Sequence, residues 1–256
     1  LLLGEATKLS AWATADDKTY LTTARLGIET DTLDAEGQTV AEAPVPPDLD
    51  EARLEQALAG LRGEIEQRVP AYSAVKVDGR KLYERARAGE VVEAPLRQVT
   101  IHELSLLALD GPRVDLRVSC SKGTYIRQLV ADLGDALGCG AHVVHLRRTA
   151  VGSMDVTEAA PLTDLEADPT PEARLIPPRD FILRSAPGVT CSPEAAARTR
   201  QGQRLSWAQL DTTPLPPGTR FALVTPDELI ALAEVAPDSG SRFAYRLVRV
   251  FPAAPE

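Results

Sequence analysis

CSKGTYIRQLVADLGDALGCGAHVVHLRR, residues 120–148, holds a strand end, a turn, a helix and a second strand in one run. Just before it, Val114, Leu116, Val118 and Cys120 alternate with Asp115, Arg117 and Ser119, the period of a half-buried strand. Ser121–Thr124 breaks that pattern, with Gly123 free to turn and Thr124 suited to cap the next element. Ile126, Leu129, Val130, Leu133 and Leu137 then recur at helical spacing, and Gly138 and Gly140 stop the helix. Ala141–Leu146 returns as a strand, which Leu146-Arg147-Arg148 is expected to end. Arg127 sits in the first helical turn, beside the apolar stripe and at the positive end of the helix dipole, a poor place for a cation. An anion is therefore expected next to it. Spacing alone favours a plain corner, its arginine paired with a structural carboxylate or lying along apolar surface.

Working outward, Tyr20, Thr22 and Ala24 share one face of a predicted strand, with Leu21 and Thr23 on the other. Asp31 and Asp34 follow in a polar, turn-rich segment ending at Gly37, where the simpler role is an Asx turn. Asp48 or Asp50 is expected to cap a scaffold helix with Leu54, Leu58 and Leu61 on its apolar side, which Gly63 ends. In VPAYSAVKVDGRKLYERARAG, residues 69–89, basic side chains (Lys76, Arg80, Lys81, Arg85, Arg87) are mixed with Tyr72, Tyr83 and the turn Asp78-Gly79. That is a solvated hairpin and short helix, or a surface on which cations track phosphates while aromatics stack on bases. Gln98–Leu109 reads as a strand. Beyond Val156, proline and acid mark a linker over residues 161–178. A small helix is capped by Ser192 with Pro193 in its first turn and closed by Gly202. Strands over Phe221–Val224, Leu229–Val235 and Arg242–Phe251, with a turn at 238–240, suggest a small β-barrel-like domain.

The 256 residues and 44% hydrophobic content suffice for a large domain plus a small one. No run of eighteen apolar residues exists, so no membrane span is expected. Three cysteines without a CxxC pair suit a reducing cytoplasm, and three histidines without ligand spacing give no metal site. The net charge of −9 speaks against nucleic acid only on average. Residues 113–148 carry six Lys/Arg against three Asp/Glu, whereas residues 155–172 carry six acids and no Lys/Arg. Screening limits distant charge to about 8 Å at physiological salt, so a local basic surface can still meet phosphates.

SKGTYIRQL followed by LGDALGCGAHVVHLRRT resembles the signature of the bacterial TruB family of tRNA pseudouridine-55 synthases. Three further stretches are similar to family motifs: YLTTARLGIETDTLDAEG at residues 20–37, PAYSAVKVDGRKLYERAR at 70–87 and LLLGEATK at 1–8. Ala71 departs from the second proline usual there. The resemblance implies an α+β (α/β) fold with a mixed, largely antiparallel sheet flanked by helices, and a small C-terminal PUA-like β-barrel. It divides the chain into a catalytic domain over 1–180, with an RNA-clamping insertion over about 69–97, and an RNA-binding domain over 181–256. It also implies isomerisation of uridine 55 in the tRNA T arm by a base-flipping, cytoplasmic, monomeric enzyme with no cofactor, metal, guide RNA or obligate protein partner. Its insertion is like that of the stand-alone bacterial enzymes.

Carried over residue by residue, the resemblance makes Arg127 the partner of the nucleophilic aspartate. Tyr20 packs on the base and is a candidate proton acceptor. Tyr125 and Leu146 wall the uracil pocket, and Asp34 organises the site. Lys76, Arg80, Lys81, Lys122, Arg147 and Arg148 meet RNA. The family's aspartate lies in a Gly-x-Leu-Asp-Pro motif, which this sequence lacks. Because the chain starts at Leu1 and its sole methionine is Met154, that loop is expected upstream of Leu1, and this stretch alone is expected to be inactive. Two rivals remain: a tRNA-binding chaperone of the same fold, and a carboxylate-dependent hydrolase or metal enzyme built on Asp31 and Asp34.

Overall fold

In the computed structural model, residues 1–90, 94–210, 212–236 and 245–253 are described. In chain order the elements are α1 (Ser10–Ala13), β1 (Lys18–Leu26), β2 (Ile28–Thr30), β3 (Thr39–Glu42), α2 (Glu51–Ala59), β4 (Gly63–Arg68), β5 (Lys76–Val77), β6 (Arg80–Lys81), α3 (Leu82–Arg87) and β7 (Leu96–Asp110). They continue with β8 (Arg113–Cys120), α4 (Ile126–Leu137), β9 (Ala141–Val151), β10 (Met154–Asp155), α5 (Leu162–Ala167), α6 (Pro178–Ile182), β11 (Gly188–Thr190), α7 (Pro193–Arg200), β12 (Arg220–Val224), β13 (Leu229–Val235) and β14 (Tyr245–Val250). Two compact units result: Ala15–Ala159, and Leu1–Thr14 together with Ala160–Glu256.

The first unit is built on a six-stranded sheet in the order β10-β9-β1-β8-β7-β4, antiparallel throughout. Alternation decides its faces. Ala24 and Leu26 of β1, with Val114, Leu116, Val118 and Cys120 of β8, point into one core. The helices α2 and α4 close that core with Leu54, Leu58, Ile126, Leu129, Val130, Leu133 and Leu137, all 5% exposed or less. Each such aliphatic side chain contributes about 1.5–3 kcal/mol when fully buried. The helix predicted from the apolar spacing of Ile126 to Leu137 forms over Ile126–Leu137, and Gly138 ends it in the left-handed conformation at φ 75°.

Four details differ from the sequence reading. Thr124 does not cap α4: its hydroxyl donates to the Ser121 carbonyl, and Tyr125 stands at the cap position without a side-chain cap bond. The scaffold helix α2, capped by Asp50, ends at Ala59 with Gly60 behind it, and Gly63 instead opens β4. That strand was not anticipated, because GEIEQR offers a single apolar residue to a period-two pattern. Finally, β9 continues past Arg148 to Val151, since β1 supplies backbone partners along its whole length, with two bulges on the way.

In the second unit, β11-β12-β13-β14 form a four-stranded sheet, with β11 parallel to β12 and the other pairs antiparallel. One side packs Trp207, Phe221 and Tyr245 with ring centroids 5.3–5.5 Å apart. The other packs Ile182, Ala222, Leu232 and Phe251 around Leu9, which is wholly buried. The chain's first residues thus supply core to this unit. Ser192 caps α7 as expected, accepting from the Ala195 N–H at 3.2 Å. An open sheet stands where a β-barrel was expected, with no closed barrel among the described residues. The turn at 238–240 and the start of the strand expected from Arg242 lie outside them.

Candidate active site

The residues expected to wall the pocket lie toward one end of the six-stranded sheet, where β1 begins. There Tyr20 of β1 lies directly across from Val118 of β8 and Arg148 of β9, and Thr22 lies across from Leu146. Cross-strand partners share a face, so Tyr20, Leu146 and Arg148 stand on one side. Arg147 is paired with Leu21 and belongs to the opposite face. Leu146 is 41% exposed, an uncovered leucine at the margin of a buried core. Burial pushes the Tyr20 hydroxyl above the ordinary tyrosine pKa, with Cys120 adding to the rise and the neighbouring Arg148 guanidinium opposing it.

Arg127, on the first turn of α4, reaches over two loops. Its Nη1 donates to Asp34 Oδ2 at 2.7 Å and to the Thr32 carbonyl at 2.8 Å, and its Nη2 to the Tyr72 carbonyl at 2.9 Å. The anion expected beside it is therefore Asp34, 93 residues away in sequence. Both side chains are about three-quarters buried, at 23% and 26% exposed. Burial works to raise the Asp34 carboxyl pKa. The Thr32 hydroxyl at 2.6 Å, the Arg127 guanidinium and the Glu36 N–H at 3.2 Å outweigh it, holding the group below the usual aspartate value.

The Asp34 loop is tightly specified. Leu33 adopts φ 62°, a left-handed conformation that is strained for a leucine. Its carbonyl accepts from the Val143 N–H at 3.0 Å, which pins the loop to β9. A Cβ on Gly37 would run into the Thr32 hydroxyl and the Asp31 carboxylate, so only glycine closes this turn. Asp31 itself accepts from the Gln38 N–H at 2.8 Å and from the Tyr72 hydroxyl at 3.4 Å. Both carboxylates thus face protein donors, Asp34 in an Asx turn with the Glu36 N–H and Asp31 across the loop with the Gln38 N–H, and the hydrolase or metal reading gains no geometric support.

The basic segment after β4 forms the anticipated hairpin, β5 and β6 around Asp78-Gly79, followed by α3. Several of its cations are already engaged. Arg80 and Arg85 share Glu90 at 2.8 and 2.9 Å, while Lys81 stacks on the Tyr83 ring at 5.3 Å. Lys76 and Lys122 are exposed. Sequence reasoning missed Gln67 altogether. Only 1% exposed, it bonds both the N–H and the carbonyl of Tyr125. Its one signal was an uncharged position within a glutamate-rich strand.

Comparison with known proteins finds relatives by sequence and by fold. Residues 1–126 match the model of the TruB family pseudouridylate synthase N-terminal domain, and residues 127–183 match the tRNA pseudouridylate synthase B C-terminal domain. The chain is 46% identical over 258 residues to tRNA pseudouridine synthase B of Cupriavidus pinatubonensis, covering 98% of this chain and 80% of that protein. It is 51% identical over 208 residues to the protein of the same name in Aromatoleum aromaticum, covering 80% of this chain and 67% of that one. Among solved structures, the Cbf5-Nop10-Gar1 complex gives a TM-score of 0.71 at 24% identity over 97% of this chain and 70% of the matched one, a likeness of fold. This chain belongs to the TruB family of pseudouridylate synthases.

Proposed function

We propose that the protein isomerises uridine 55 in the T arm of tRNA to pseudouridine, with Arg127 as the residue that orients the reacting carboxylate. The observation that carries this reading is the anchoring of Arg127. Asp34, Thr32 and Tyr72 take three of its N–H groups, and a guanidinium has five. The remaining two are directed by that anchoring and can hold a second carboxylate ionised and in register. The family's nucleophilic aspartate is that carboxylate, and the Asp34 carboxylate, already committed to three donors, holds the arginine from behind.

The reaction breaks the bond from C1′ to uracil N1, rotates the freed base and joins C1′ to C5, whose proton then leaves. Atoms and oxidation level balance, so the chemistry asks for a nucleophile, a proton acceptor and a closed pocket. The nucleotide must first leave its stack. Tyr20 and Leu146 offer apolar surface for the base, with Tyr125 beside it, and Arg148 a charge for the backbone. Tyr20's raised pKa makes packing its better role, since a phenol that resists ionisation is a weak base. Lys76, Arg80, Lys81 and Lys122 would track phosphates of the T stem, and residues 181–256 would act as a PUA-like RNA-binding domain. We place the protein in the cytoplasm as a monomer working without a guide RNA or a protein partner; no helix among the described residues is long and apolar enough to cross a membrane.

The test is tritium release from a T-arm stem-loop labelled at uracil C5, using protein expressed from the complete gene. Release with one pseudouridine formed per tritium lost is expected. Tight binding without release would support the chaperone reading instead.

A further inference from the structure

We infer that Gln67 is a positioning residue for this reaction, setting the start of α4 and with it Arg127 and Tyr125. It rests on the function proposed above. Glu64, Glu66 and Arg68 of β4 are exposed, while Gln67 is turned inward, opposite Arg97 of β7 in register and almost wholly buried. A leucine there would fit the alternation; a buried amide has to be matched by partners. Its partners are both polar groups of one residue: Oε1 accepts from the Tyr125 N–H at 2.7 Å, and Nε2 donates to the Tyr125 carbonyl at 3.1 Å.

Tyr125 is the cap residue of α4 and has no side-chain cap of its own. Its carbonyl also accepts the first bond of the helix, from the Leu129 N–H at 3.0 Å. Gln67 therefore does from a neighbouring strand what a capping side chain does locally. Arg127 is two residues further on. The chain that leaves Gln67 reaches Tyr72, whose carbonyl receives the Arg127 guanidinium. One short segment, residues 67–72, thus holds the main chain of Tyr125 at one end and the side chain of Arg127 at the other. Only an amide of this length does both jobs: glutamate lacks the donor, asparagine is one methylene short, and methionine has neither group.

The experiment uses Gln67→Met and Gln67→Glu in protein from the complete gene, reading single-turnover tritium release, T-arm affinity and melting temperature. For Gln67→Met the rate should fall about 100-fold, the cost of a misplacement near 1 Å, while affinity changes only a few-fold. Gln67→Glu, which keeps the acceptor for the Tyr125 N–H, should lie between it and the parent. Parental rates in both variants would overturn the inference. So would loss of rate, affinity and folding together in both, because Gln67 would then serve the fold alone. If Gln67→Met does not fold, Gln67→Glu decides by the same criteria. An inactive parent would instead defeat the functional reading beneath.

Discussion

Arg127 shows what a single residue's address discloses. A cation at the positive end of a helix called for an anion, and one is present at 2.7 Å. Which anion was not legible, because Asp34 lies in a loop whose approach depends on the strained Leu33 and on the contact with Val143. Gln67 was invisible for a related reason: in GEIEQR it reads as one more solvated residue. The Asp34–Arg127 pair has a pH signature. Since the folded Asp34 pKa is lowered, the pair's stabilisation is fully present above the ordinary value of about 3.9 and is lost as pH falls through the lowered one. Asp34→Asn should cost about 1.5–3 kcal/mol at neutral pH, and the gap to the parent in urea unfolding should close below that value. A gap unchanged at acid pH would show that the carboxylate charge contributes nothing. For Tyr20, burial and the raised pKa predict that Tyr20→Phe retains most turnover, measured as single-turnover rate. A loss as large as that of a missing general base, about 10²–10⁴-fold, would restore the proton-acceptor role.

Elements with strong periodicity were readable: β1, β8 and, apart from its cap, α4 form where the pattern put them, because their apolar residues fit one face. The failures lie where pairing partners, not local pattern, decide. Strand β9 runs on through Arg147 and Arg148 because β1 is there to bond it, and β4 exists because β7 offers an edge. Contact between α4 and β9 depends on Gly134, whose added Cβ would fall on the backbone of Gly140 and Ala141. Gly134→Ala should therefore destabilise the protein by about 1–3 kcal/mol through overpacking, despite alanine's better helix propensity. A rise in melting temperature would contradict the packing seen here. In the basic hairpin, Glu90 occupies Arg80 and Arg85 as a phosphate would. Glu90→Gln should free them, tightening T-arm binding and steepening its salt dependence by about one unit of slope. An unchanged slope would mean those arginines stay off the RNA.

For the whole molecule, net charge was a poor guide. A chain at −9 can belong to a family of RNA-modifying enzymes because charge is local: residues 113–148 carry six Lys/Arg against three Asp/Glu, while residues 155–172 carry six acids and no Lys/Arg. Among the described residues the C-terminal strands form a four-stranded sheet, since strand spacing counts strands but does not say how they close. The role proposed for the first unit is to aim a guanidinium from the start of α4, where Asp34, Thr32 and Tyr72 anchor Arg127. The direct test compares the parent with Arg127→Lys in single-turnover tritium release on the T-arm stem-loop, with affinity measured alongside. Lysine keeps the charge but cannot bond Asp34, Thr32 and Tyr72 and still present a fork to a carboxylate. The rate should drop at least about 100-fold with affinity little changed; a lysine variant turning over at the parental rate would contradict the account.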